Sequence, residues 1–145
     1  MTQTMPDDDQ QYKLDEQVGF LLRLANQRHA LIFQDHAVDK LTPTQFSTLL
    51  RLSEMGRVSQ NHLGRLAAMD IATTKGVVDR LKAKGLVSSE PDTTDKRRSV
   101  ISLTTDGKKL ITKLETAGAA ITEETLSPLN LREQATLIAL LKKLS

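Results

Sequence analysis

Residues 58–104 read VSQNHLGRLAAMDIATTKGVVDRLKAKGLVSSEPDTTDKRRSVISLT, and the way this stretch folds decides what the rest of the chain is for. Ser59 is a good N-cap, because its hydroxyl can accept from the open amides of a first helical turn. Leu63, Leu66 and Ala67 follow at the three-to-four spacing of a half-buried helix, which predicts a helix over about Ser59–Ala68. Asp70 suits the start of a second helix, where its carboxylate also meets the positive end of the helix dipole. Ile71, Val77, Val78 and Leu81 are expected on its inner face, leaving Thr73, Thr74, Lys75 and Gly76 outside. Gly85 ends it as a left-handed cap, with Lys82 and Lys84 in the last turn.

After Gly85 the period changes to two. Leu86–Glu90 and Ser99–Leu103 read as two short strands, joined by the polar loop 91–98. Lys96, Arg97 and Arg98 stand in succession near the end of this loop, where three cations on a hairpin can probe phosphates or the negative potential of a minor groove. A helix pair followed by a basic hairpin is a shape suited to the grooves of duplex DNA.

These residues resemble the MarR family of winged helix-turn-helix transcription regulators. The family's helix pattern T-x-T-R-x-x-D-R-L-x-x-x-G-L is matched by Thr73, Asp79, Arg80, Leu81, Gly85 and Leu86. Lys75 and Gly76 stand where a Thr and an Arg are usual. The wing pattern D-x-R-D-x-R followed by L-T-x-x-G is matched by Asp92, Asp95, Arg97, Leu103, Thr104 and Gly107, with Thr94 in place of the first Arg. The resemblance extends over about residues 17–144. It implies a mainly α fold of about six helices with a small β-hairpin wing, an intertwined homodimer, and regulation of transcription, most often repression.

Composition is consistent with this reading. The chain has 145 residues and a formal charge of +2, too small a value to indicate nucleic acid by itself. Its distribution is more telling: residues 1–56, 57–98 and 99–145 carry net charges of −3, +4 and +1, so the cation excess lies on the helix pair and hairpin. With four aromatic residues, the chain lacks the stacking platforms of a single-strand binder. The absence of cysteine excludes disulfides, thiolate zinc sites and thiol-based sensing. No stretch has the length and apolarity of a membrane span, and the start MTQTMPDDDQQ is not signal-like; a soluble cytoplasmic protein is expected.

Residues 1–11 are expected to be disordered, and 12–145 to form a single domain. A long helix is expected from Tyr12 or Lys13 to Asp39, apolar on two sides. A second should open at Thr42 or Thr44 beside Pro43 and close at Gly56, with Phe46, Leu49, Leu50 and Leu52 inward. After the hairpin, Thr104 or Thr105 caps a helix over about Asp106–Leu126, with Leu110, Ile111, Leu114 and Ile121 inward. Asn130 and Glu133 form a capping-box start for a last helix over Leu131–Leu144, more apolar than a free terminal helix requires. Helices 12–39 and 106–145 are thus expected to interlock two chains around the DNA-reading segment 43–104. Such a dimer sets two reading helices about one turn of DNA apart, so the target should be an inverted repeat in double-stranded DNA.

Thr73, Thr74 and Lys75 are the expected base-edge contacts in a major groove. Ser59 and Gln60 are expected to hold phosphate. Arg97 holds the minor-groove place on the wing, oriented by Asp95, while Lys96 and Arg98 reach phosphates. Arg80 could instead be structural, paired with an acid.

For an effector, the segment FLLRLANQRH places Arg23 in an apolar run with no acid three or four residues away. Its spacing to His29 is similar to family members that bind small aromatic carboxylates. A guanidinium grips a carboxylate with two hydrogen bonds, and an imidazole can bond a ring hydroxyl. The two side chains stand roughly 120° apart around a helix, so one ligand meets both only across a cleft.

His29 and His36 share a face and, with Asp35, raise a metal-responsive alternative. Two histidines are too few without a further ligand, and no metal or cofactor is expected. His62 reads as helix surface. No nucleophile–base pair or phosphate-cradling loop suggests an enzyme; a winged-helix protein-interaction module without DNA binding is the other alternative.

Overall fold

The computed structural model describes residues 11–145. It contains six helices and one small sheet: α1 (Val18–Asp35), α2 (Pro43–Met55), β1 (Val58–Ser59), α3 (Gln60–Leu66), α4 (Ile71–Ala83), β2 (Val87–Pro91), β3 (Ser99–Leu103), α5 (Thr105–Leu126) and α6 (Leu131–Lys143). The expectation for the first residues lies, save Gln11, outside the described part.

The expected single helix over residues 12–39 is instead divided. A 3-10 turn, Leu14–Glu16, precedes an extended Gln17 (φ −89°, ψ 133°), and only then does α1 begin. At the other end His36 closes α1, and Asp39 and Lys40 take left-handed φ values of 51° and 58° that reverse the chain. The reversal seats Leu41 in the core and sets Thr42 as the N-cap of α2. Pro43 occupies the first helical position, where its missing N–H is no loss, and Thr42 and Gln45 complete a capping box.

The other helix ends follow the same local chemistry. Ser59, Asp70, Thr104 and Asn130 each accept a backbone N–H from the residue three positions on. Gly85 (φ 75°) closes α4 in a Schellman arrangement, with Leu86 N–H donating to Leu81 C=O and Gly85 N–H to Lys82 C=O.

The sheet has the order β1-β3-β2 and is antiparallel throughout, with Val58 opposite Ile101 and Val87 opposite Leu103. The hairpin is therefore widened by a third strand, β1, that sequence reading did not anticipate. Pro91, assigned by sequence to the loop, ends the edge strand β2, where a missing N–H breaks no central ladder.

The main core is built from Leu49, Leu52, Leu63, Val78, Leu81, Ile101 and Leu114, all nearly inaccessible. A smaller cluster, Ile32, Phe33 and Ile121, lies between α1 and α5, and Phe46 of α2 packs against both clusters. The motif Leu103-Thr104-x-x-Gly107 fixes the hairpin to the end of α4. Thr104 Oγ1 donates to Gly85 C=O at 2.6 Å, Thr104 N–H donates to Leu86 C=O at 3.0 Å, and a β-carbon at residue 107 would collide with the Leu86 carbonyl oxygen.

Apolar side chains remain without cover on two elements. No residue of α6 is buried, and Leu131, Ile138, Leu140, Leu141 and Leu144 are exposed together with Tyr12, Leu14, Val18, Leu21, Leu22, Leu24 and Leu31 from the start of the chain. Among the described residues, no helix is long and apolar enough to cross a membrane.

Candidate nucleic-acid interface and effector cavity

Two positions on α4 are exchanged relative to expectation. Ile71, expected inside, is 78% exposed, and Thr74, expected outside, is only 2% exposed. Thr74 Oγ1 donates to Asp70 C=O at 2.6 Å and packs against Gly64, where an added β-carbon would come within 2.5 Å of that hydroxyl. Thr74 therefore locks α3 against α4 and is unavailable to a base edge. Thr73 and Lys75 remain on the surface, Lys75 with its ammonium 3.2 Å from Asp79. Asp70 is held ionised below the usual carboxylate range, chiefly by the Thr73 backbone N–H and then its hydroxyl.

The wing loop organises itself. Asp95 accepts from Arg97 Nε at 3.1 Å and Nη2 at 3.2 Å, and also from the Arg97 backbone N–H at 3.1 Å. The guanidinium and then that N–H lower the pKa of Asp95. Thr94, at the position of the first wing arginine, donates through its N–H and hydroxyl to Asp92 Oδ1, each at 3.1 Å, which lowers the pKa of Asp92. The Arg97 side chain is 91% exposed, and Lys96 and Arg98 are exposed as well. Ser59, Gln60 and Asn61 face Arg97, Arg98 and Ser99 across a cleft of about 140 Å³, so the start of α3 and the base of the wing form one surface. Ser59 and Gln60 are half-buried there.

Arg23 and His29 part company. His29 lines a cavity of about 500 Å³ between α1, α2 and α5, with Phe33, Phe46, Leu50, Leu114, Gly118 and Ile121 among its walls. His29 Nδ1 lies 2.9 Å from Thr125 Oγ1, which orients the ring. Arg23 stands outside this cavity with its guanidinium 5.9 Å from the Phe20 ring centre. The two are not brought together within one protomer.

Three bonds that sequence reading missed bind α1 to the end of α5. Arg28 donates to the carbonyls of Thr125 (2.7 Å) and Glu124 (3.0 Å), and His36 Nε2 lies 2.7 Å from Glu124 Oε2. The unsatisfied carbonyls at a helix C-terminus favour such a cation, but no sequence spacing links residues 96 or 97 apart. His29 and His36 thus serve separate partners, and among the described residues no group of three ligating side chains gathers around a metal position.

Comparison with known proteins places this geometry in context. The MarR family model matches residues 41–99. The HTH-type transcriptional repressor NicR of Pseudomonas putida is 41% identical over 140 residues, covering 96% of this chain and 89% of that protein. A probable transcriptional regulator from Pseudomonas aeruginosa superposes with a TM-score of 0.88 at 47% identity, covering 92% of this chain and all of the other. Bordetella bronchiseptica BpsR, whose DNA binding is regulated by 6-hydroxynicotinic acid, also reaches 0.88, at 38% identity and 92% and 96% coverage.

Proposed function

Because this chain belongs to the MarR family, we propose that it is a transcriptional repressor: a homodimer that binds an inverted-repeat operator in duplex DNA and is released by a small aromatic carboxylate. The observation that carries the reading is the continuous surface formed by the α3 start and the wing base. Ser59 and Gln60 offer hydrogen bonds to phosphate beside Arg97 and Arg98, while the outer face of α4 enters the major groove with Thr73 and Lys75. Lys96 supplies a further phosphate contact at the wing tip, and Arg97, aimed by Asp95, enters the minor groove.

The uncovered apolar faces of α1 and α6 supply the two-fold interface. A second chain covering them would pair the reading helices on adjacent turns of a duplex, in the cytoplasm where such DNA lies.

His29 lines a cavity of mixed walls, Phe33, Phe46, Leu50, Leu114 and Ile121 beside Ser47, Glu54, Glu115 and Thr122, whose size suits one substituted arene. Arg23 lies six residues earlier, about 9 Å along α1 and outside the cavity, and is the carboxylate partner for a ligand that extends beyond the cavity walls. The hydroxy-nicotinate named for BpsR combines a carboxylate with a ring oxygen, the two features these side chains would grip.

The test is a fluorescence-anisotropy titration of duplex DNA from upstream of the protein's own gene, with and without 6-hydroxynicotinic acid. The acid should weaken binding, and Arg23→Ala and His29→Ala should each abolish that response while retaining DNA affinity. Unchanged responses in both variants would reject this effector site; failure of the unmodified protein to bind any upstream duplex would reject the repressor reading.

A further inference from the structure

We infer that Arg80 is a base-reading residue, reaching the groove floor through the space that Gly76 leaves open. The inference deepens the DNA-binding reading above and rests on it. At about 100° per residue, the buried side of α4 is marked by Thr74, Val77, Val78 and Leu81. The line opposite runs through Ala72, Gly76, Asp79 and Ala83, mostly small residues, and allows the helix axis to come close to a groove floor. Lys75 and Lys82 flank one edge of this line, and Thr73 and Arg80 flank the other.

Gly76 lies on the outward line yet is only partly exposed. The sole group near the place of its missing β-carbon is Arg80, whose Nη1 would be 3.6 Å away. Helical side chains lean toward the N-terminus, so Arg80 folds over the preceding turn and lies across residue 76. Among the described residues, the Arg80 guanidinium has no hydrogen-bond or ion-pair partner, and the nearby carboxylate of Asp79 is engaged by Lys75 at 3.2 Å. No acid among the described residues holds this cation in place.

Residue 76 is also the position at which the family pattern places an arginine and this chain does not. A fork reaching from one turn further on, over a glycine, restores a planar donor pair to the same surface. The base pair matched by such a fork is G·C, through guanine O6 and N7 in the major groove.

The experiment enriches duplexes from a randomised library on the unmodified dimer, then repeats the selection with Arg80→Lys and Gly76→Leu. The unmodified protein should enrich an inverted repeat with a G·C pair fixed at one position of each half-site. Arg80→Lys keeps the charge but not the fork. It should bind that duplex about 10-fold or more weakly per half-site, accept any pair at that one position, and keep its salt dependence. Gly76→Leu should lose the same preference although Arg80 is intact, because its side chain displaces the guanidinium, with an undiminished melting temperature showing that α4 is whole. If Arg80→Lys keeps every base preference and binds all sequences uniformly more weakly, Arg80 touches only phosphate and the inference fails alone. If the unmodified protein enriches no motif, the DNA-binding reading fails and takes the inference with it.

Discussion

Replacing Arg97 by Ala should change not only how tightly the protein holds its operator but how that grip responds to salt. The Arg97 side chain is almost wholly exposed and is oriented in the absence of DNA by two guanidinium bonds to Asp95, at 3.1 and 3.2 Å. A cation neutralising one phosphate contributes about 0.9 to the slope of log K against log salt concentration, so a dimer losing two should have a slope shallower by about 1.8. Between about 50 and 200 mM salt, the unmodified dimer should then lose roughly 12-fold more affinity than the variant. The assay is an anisotropy titration at four or more salt concentrations on one operator duplex. An unchanged slope would refute the placement of Arg97 on DNA, even if affinity falls.

Asp95→Asn serves as the companion variant. It retains the charge of Arg97 while weakening its orientation, so affinity should fall with the slope preserved. Because the native pKa of Asp95 is depressed, its contribution is fully present above about pH 4 and is lost only as pH falls through that lowered value. The wing should therefore add no pH dependence to operator binding between about pH 5 and 8.

Four further substitutions have expected outcomes. Thr74→Val, removing the 2.6 Å bond to Asp70 C=O inside the helix pair, should cost about 1 kcal/mol of stability in a thermal melt and leave operator affinity unchanged below the transition. Thr73→Ala should do the reverse, so equal loss of affinity in both would contradict the burial of Thr74. Leu141→Glu places a charge in the proposed two-fold interface and should give a folded monomer by sedimentation, unable to hold an inverted repeat; a stable dimer would move the interface elsewhere. Gly107→Ala brings a β-carbon onto the Leu86 carbonyl and should destabilise by about 1–3 kcal/mol in denaturant, more than a surface change of the same size.

The features legible in the sequence are those decided within a few residues. Thr42-Pro43, Ser59, Asp70, Gly85, Thr104 and Asn130 announce helix ends because each cap is a bond to a neighbour along the chain. The strand β1 is two residues long and exists only because Val58 and Ser59 meet Ile101 and Val100 across the fold. The hydroxyl of Thr74 suits a polar surface, but the residue stands three and four positions before Val77 and Val78 and so shares their buried face. The effector residues were separated for a different reason. Spacing along α1 gives the angle between Arg23 and His29, but the cavity wall comes from α2 and α5, which no count along α1 can place. The bonds of Arg28, His29 and His36 to residues 124 and 125 are long-range and were invisible for the same reason.

That cavity occupies a mechanically sensitive position in the proposed switch. Its walls come from α1 and α5 on one side and α2 on the other, and Phe46 meets Phe33 edge-on at 5.5 Å while also packing on the main core. Helix α2 in turn grips the DNA-reading pair, with Arg51 Nε donating to Leu66 C=O at 2.8 Å and Thr48 packed beside Met69. An arene entering between α1 and α2 would press on the helix that holds α3, and would shift the dimer away from its DNA-binding shape only by its difference in affinity for the two shapes. Moving the balance from 99:1 to 1:99 requires about a 10⁴-fold difference in affinity between the two shapes. Gly118 offers a way to test this without a ligand, since an added β-carbon there would lie 3.2 Å from Phe46 Cζ. Gly118→Leu should fill the cavity permanently, lower operator affinity in the absence of any acid and remove the response to added 6-hydroxynicotinic acid. A variant with full affinity and a full response would show that the cavity and the reading helices are not coupled through Phe46.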